Sequence, residues 1–187
     1  MKFALLTMAA LVLVLCPGLS RAQAKESPSQ SPGASQPTIK TKFDNVKGET
    51  TVGLDQLLVI GTETEKLLIS VEATFATQAP KNHPEDIVFI ISVLNFKSYR
   101  YPDTNTLIIS RDGERLPPVL LLNLDKRAAD NFFLEILGTR MKYDVFMQLA
   151  KGKNVQMQFA ETSFALRDDH LALLRKFADL LHLWCLA

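Results

Sequence analysis

The chain has 187 residues, of which 21 are basic and 20 acidic, for a formal net charge of +1. A near-neutral protein whose charges are interspersed, as in KNHPED, SRDGER and LDKRAAD, has no electrostatic reason to gather on nucleic acid or on an anionic membrane. At this length one domain buries enough apolar surface to fold without staples, and only two cysteines occur, Cys16 and Cys185.

The first residues read as a secretory signal peptide. Lys2 supplies a positive start, Phe3 to Cys16 is an apolar run broken only by Thr7, Pro17-Gly18 ends it, and Ala22-Gln23-Ala24 offers small residues to signal peptidase. The run of about 14 residues falls short of the roughly 20 that a membrane-spanning helix requires. A lipid anchor on Cys16 would need a small residue before it, and Leu15 stands there. The expectation is cleavage after Ala24 and a soluble periplasmic or secreted product without a transmembrane anchor. Cys185 would then be the sole remaining cysteine, either packed among its apolar neighbours or available for an intermolecular disulfide.

Residues 25–38, KESPSQSPGASQPT, are almost devoid of apolar side chains and are expected to be a disordered linker to a single β-rich domain over 39–187. Within that domain KLLISVEATFAT alternates, with Leu67, Ile69, Val71, Ala73 and Phe75 on one face and Ser70, Glu72 and Thr74 on the other, as a strand with one wet face does. DIVFIISVLNF is apolar almost throughout, which predicts a central strand covered on both faces. TLIISRDGERLPPVLLL reads as a hairpin turning at Asp112-Gly113 through a type I′ turn, with Pro117-Pro118 interrupting its second arm and placing that arm at an edge. NFFLEILGTRM gives a further strand.

The period then changes. Tyr143, Phe146, Met147 and Ala150 predict a short helix near 142–151, with Gly152 at its C-terminus. VQMQF and SFAL return to strand. Leu173, Leu174, Phe177, Leu180, Leu181 and Trp184 mark an amphipathic C-terminal helix lying on the sheet, opened by Asp168 and Asp169 against the helix dipole. The expected class is mainly β, an antiparallel sandwich-like or α+β fold of about seven to nine strands and two helices.

The chain shows no zinc-protease, paired-cysteine, phosphate-loop or nucleophile-elbow motif, so no catalytic residue, cofactor or metal ligand is assigned. Two clusters keep an enzyme open as the alternative. Asp168-Asp169-His170 offers oxygen and nitrogen ligands, against the simpler reading of a capped helix start with an exposed histidine. The loop Asn82-His83-Pro84-Glu85-Asp86 places a histidine beside carboxylates, against a plain solvated connection. His170 and His182 lie three turns apart on one helix, roughly 18 Å, too far to share an ion. Tyr99-Arg100-Tyr101 and the tip Asp112-Gly113 are the candidate partner contacts, because Tyr and Arg are enriched at binding hot spots. The leading expectation is therefore an exported, non-enzymatic binding or assembly module of the cell envelope or periplasm. The alternatives are a small hydrolase or metal-dependent enzyme using His83 or the Asp168–His170 cluster, and a structural subunit joined through Cys185 or an open strand edge.

Overall fold

A computed structural model describes residues 37–77 and 82–184, the side chain of Trp184 excepted. The expected leader, most of the linker and Cys185 lie outside the described residues. Thr38, at the end of the expected linker, is already tied to the body: its carbonyl accepts from the Asp55 N–H at 2.9 Å and its hydroxyl donates to the Asp55 carboxylate.

The elements in chain order are β1 (Ile39–Asp44), β2 (Glu49–Gly61), β3 (Glu65–Phe75), β4 (Asp86–Asn95), β5 (Thr104–Arg111), β6 (Glu114–Arg115), β7 (Val119–Ala129), β8 (Phe132–Lys142), α1 (Tyr143–Ala150), β9 (Val155–Phe159), β10 (Thr162–Ala165) and α2 (Asp168–Trp184). The ten strands form one sheet in the order β1-β2-β3-β4-β8-β7-β5-β9-β10, with β6 paired to β5, and every pairing is antiparallel. The mainly β class with a C-terminal helix packed on the sheet is thus the observed architecture.

The alternation read in β3 sets the layers. Leu67, Ile69, Val71 and Ala73 are fully buried, and in register beside them on β4 so are Phe89, Ile91 and Val93. Onto this inner face pack Phe146 and Leu149 of α1 and Leu171, Leu174, Phe177 and Leu181 of α2, all in one core. Fully burying a side chain of this size contributes about 1.5–3 kcal/mol, so these residues dominate the stability. Leu173 and Leu180, read as part of the buried stripe of α2, flank it and are only partly buried.

The second arm of the hairpin lies at an edge as far as Leu121, since β6 and Val119–Leu121 pair with β5 alone. The prolines sit between β6 and β7, where Leu116 N–H donates to Ile109 carbonyl; β7 then pairs with β5 over Val119–Leu122 and with β8 from Leu122 onward. At the tip Asp112 and Gly113 have φ of 52° and 89°, the two positive values of a type I′ turn. Two local readings need correction, at Gly152 and on β4. Gly152 does not have the left-handed backbone of a helix terminator; a Cβ there would lie 2.7 Å from Cγ of Arg111 and 2.6 Å from Val155, so close packing is what demands glycine. The second correction concerns β4. Its alternate residues Val88, Ile90, Ser92 and Leu94 are half-buried, and no described layer covers them as a strand buried on both faces would require.

Candidate functional site

The loop carrying Tyr99-Arg100-Tyr101 connects β4 to β5 and is held from beneath by a carboxylate. Glu135 of β8 is completely buried and accepts from the backbone N–H groups of Arg100 at 2.8 Å and Tyr101 at 3.1 Å, with the Asn123 amide at 3.4 Å. Tyr101 points into the core. Its hydroxyl meets Thr162 Oγ1 of β10 at 2.7 Å and donates to Glu65 of β3 at 3.3 Å, and burial pushes the phenol up from its ordinary value. Arg100 lies over the Tyr101 ring and pairs with Glu65 at 2.8 Å. Of the three only Tyr99 presents an exposed ring uncommitted to a polar partner, and it packs edge-on against Phe133. The loop with these candidate contacts also forms a polar clasp joining β3, β8 and β10.

The hairpin tip is similarly occupied. The Asp112 carboxylate accepts from the N–H groups of Asn154 at 2.8 Å and Lys153 at 3.0 Å, and these bonds hold it below the usual aspartate value. Gly113 stays exposed at the turn. The tip therefore braces the connection between α1 and β9.

The histidines fall into two environments. His170 is buried rather than exposed. Its Nδ1 accepts from Arg167 N–H at 3.4 Å, and burial lowers its pKa from 6.5 while a bond to the Leu58 backbone opposes that shift, so the ring joins the start of α2 to β2. Asp169 is exposed and bidentate to Arg167, which lowers its pKa. Asp169 thus serves a surface ion pair with Arg167 while one of its oxygens stays 3.9 Å from Nε2 of the buried His170. His83 stacks on Tyr143 at 4.7 Å and on His182 at 5.5 Å, a meeting of loop and helix end that sequence spacing could not reveal. It borders a hollow of about 290 Å³, whose lining includes one carboxylate, Glu85, held by Lys142. Among the described residues no three His, Cys, Asp or Glu side chains are placed to hold a metal ion, and no helix is long and apolar enough to cross a membrane.

Two surfaces that sequence reasoning missed are apolar. One is a groove of about 570 Å³ between β1 and α2, lined by Ile39, Leu173, Leu180 and Leu183 with Lys176 and Asp179 at its side. The other is larger. On the outer face of the sheet, the registers align Ser70, Ile90, Gly138 and Leu122 in one row across β3, β4, β8 and β7, then Leu68, Ser92, Ile136 and Asp125, then Lys66, Leu94, Leu134 and Arg127. Leu58 of β2 pairs with Leu68 and is 41% exposed; on β7 Leu120, Leu122 and Leu124 are 59%, 42% and 58% exposed. Leu124 sits in a bulge and lies over Gly138. The signals were present in VLLLNL, whose alternate leucines face outward, and in the unbroken apolar run of β4. Compared with protein-family models, curated proteins and solved structures, the chain matches none of them.

Proposed function

We propose that this protein is an exported, non-enzymatic binding or assembly module that works through the outer face of its sheet. One observation carries the reading: aliphatic side chains from four strands gather on the outer face, including three leucines on β7 that are each more than two-fifths exposed. Soluble proteins rarely leave such a patch open unless another surface covers it. The leader-like start from Lys2 to Ala24 supports export. Most polar groups of the Tyr99–Tyr101 loop and the Asp112 carboxylate are engaged in bonds to this chain, which supports the sheet face over either as the contact.

The test is site-specific photo-crosslinking in the native envelope, with the reactive group placed at Leu122 or, for comparison, at Gly113. A discrete adduct from Leu122 and none from Gly113 is the expected result. Absence of any adduct from the sheet face, with efficient incorporation, would overturn the reading and return attention to the hollow beside His83.

A further inference from the structure

We infer that the occupant of the outer face is a second copy of this chain, packed face to face with its strands running opposite to those of the first. The inference rests on the proposed role of that face and adds the identity and orientation of the partner.

Size is the first argument. Four strands spaced by about 4.8 Å, over seven residues rising about 3.4 Å each, make a face of roughly 19 by 24 Å. Two such faces, with side-chain relief and the flanking Leu58 and Leu120, hide on the order of 1,000–1,400 Å² in total, which reaches the size of a specific interface. Sheets pack in this way about 10 Å apart with strands nearly aligned, as in a sandwich.

Charge is the second argument, and it selects the arrangement. Asp125 and Arg127 neutralise each other at 2.6 Å. Lys66 and Glu72 lie at opposite ends of β3 on the outer face, exposed, and among the described residues neither is in an ion pair. A two-fold axis in the interface, perpendicular to the strands and passing between Ile90 and Ser92, reverses the rows. It sets Glu72 of each copy over Lys66 of the other, twice, while Val88 meets Leu94. An axis parallel to the strands would instead set Lys66 over Arg127, which Asp125 already neutralises, so Lys66 would gain no acidic partner. The unpaired charges of β3 are thus self-complementary in one orientation, as an isologous contact requires. A lipid surface fits less well, because the patch carries both signs and no cationic cluster for headgroups.

The experiment is sedimentation equilibrium on the product that cells expressing the full chain yield, in reductant so that a Cys185 disulfide cannot substitute for the contact. The expected species has twice the mass of the product, dissociating below about 10 µM. Ile90→Glu, on the outer face, should be monomeric with unchanged circular dichroism. Lys66→Glu and Glu72→Lys should each weaken the dimer by about tenfold at low salt, and the double reversal should restore it to within about threefold. A wild-type product monomeric at about 100 µM, a dimer indifferent to Ile90→Glu, or a double reversal that does not recover would each overturn the inference. So would a monomer that floats with phosphatidylcholine–phosphatidylglycerol vesicles, which makes the face a membrane contact. If self-association fails while the Leu122 crosslink to another protein persists, the proposed function stands and only the partner's identity falls.

Discussion

The two faces of the central sheet are built from similar side chains and do different things. On β4, Phe89, Ile91 and Val93 are fully buried beneath the helices, whereas their neighbours Val88, Ile90 and Leu94 are half-buried with no described layer above them. The inner face is apolar because it is the core. The outer face mixes aliphatic residues with serines and charges, and its aliphatic residues on β4, β7 and β8 have no internal reason to be there, which is why we read it as a contact surface. It also shows that apolar character alone does not distinguish a core from an interface; the difference is whether this chain supplies the second layer.

The sharpest way to break the comparison is to substitute adjacent residues of β4. Phe89→Ala should cost about 3–5 kcal/mol, because it removes an inner ring and leaves a cavity among packed neighbours. Ile90→Ala, on the other face, should cost about 1 kcal/mol or less in the isolated protomer, where little packing is lost. Urea unfolding of both variants at low protein concentration measures the ratio, and similar losses would mean that the outer face is covered within the protomer.

The inner face holds one fully buried carboxylate among the described residues, Glu135. Glu135→Ala should cost about 3 kcal/mol, since it strands the N–H groups of Arg100 and Tyr101 in a region that excludes water. Arg127→Ala, opposite Leu134 on the outer face, removes only an exposed ion pair and should change protomer stability by about 0.5 kcal/mol or less. Equal effects of the two would show that the clasp under the Tyr101 loop is dispensable.

These residues also mark how far the sequence could be read. β3, the β5–β6 turn, both helices and the last two strands were legible because each carries its period or turn chemistry locally. β1 was not singled out, its short polar edge sequence IKTKFD offering little alternation, and neither was β2, where irregularities between Leu54 and Leu57 and between Leu58 and Ile60 break the two-residue period of a long strand. The clasp was invisible for a different reason. Glu135 lies 34 residues from Tyr101 and Glu65 lies 36 before it, so only the pairing of β4 with β8 and β3 brings them together. The covering of β4 was misread because an apolar run does not say which molecule covers it.

A pH titration tests the link between the faces and the helix above them. The His170 pKa is lowered in the folded state, so the unfolded chain binds more protons between the folded value and 6.5. Its contribution is therefore complete above pH 6.5 and is lost as pH falls through that value toward the folded one. Thermal unfolding followed from pH 8 to pH 5 should show this decline, and His170→Gln should flatten it. An unchanged slope would assign the decline to other groups and remove His170 from the α2–β2 joint.

A further small effect is expected at Gly138, on β8 in the middle of the outer face. A Cβ built there would lie 2.5 Å from the Leu124 Cδ1 methyl, a contact that would be severe in a core. Leu124 is 58% exposed, however, and its far end can swing toward solvent. Gly138→Ala should therefore shift protomer stability by less than about 1 kcal/mol, partly offset by the reduced freedom of the unfolded chain. The same substitution should weaken self-association more than it weakens folding, because the displaced leucine would stand in the plane where the second copy packs. Measuring both quantities on one variant separates a face that is soft because nothing lies above it from one whose shape is set by its partner.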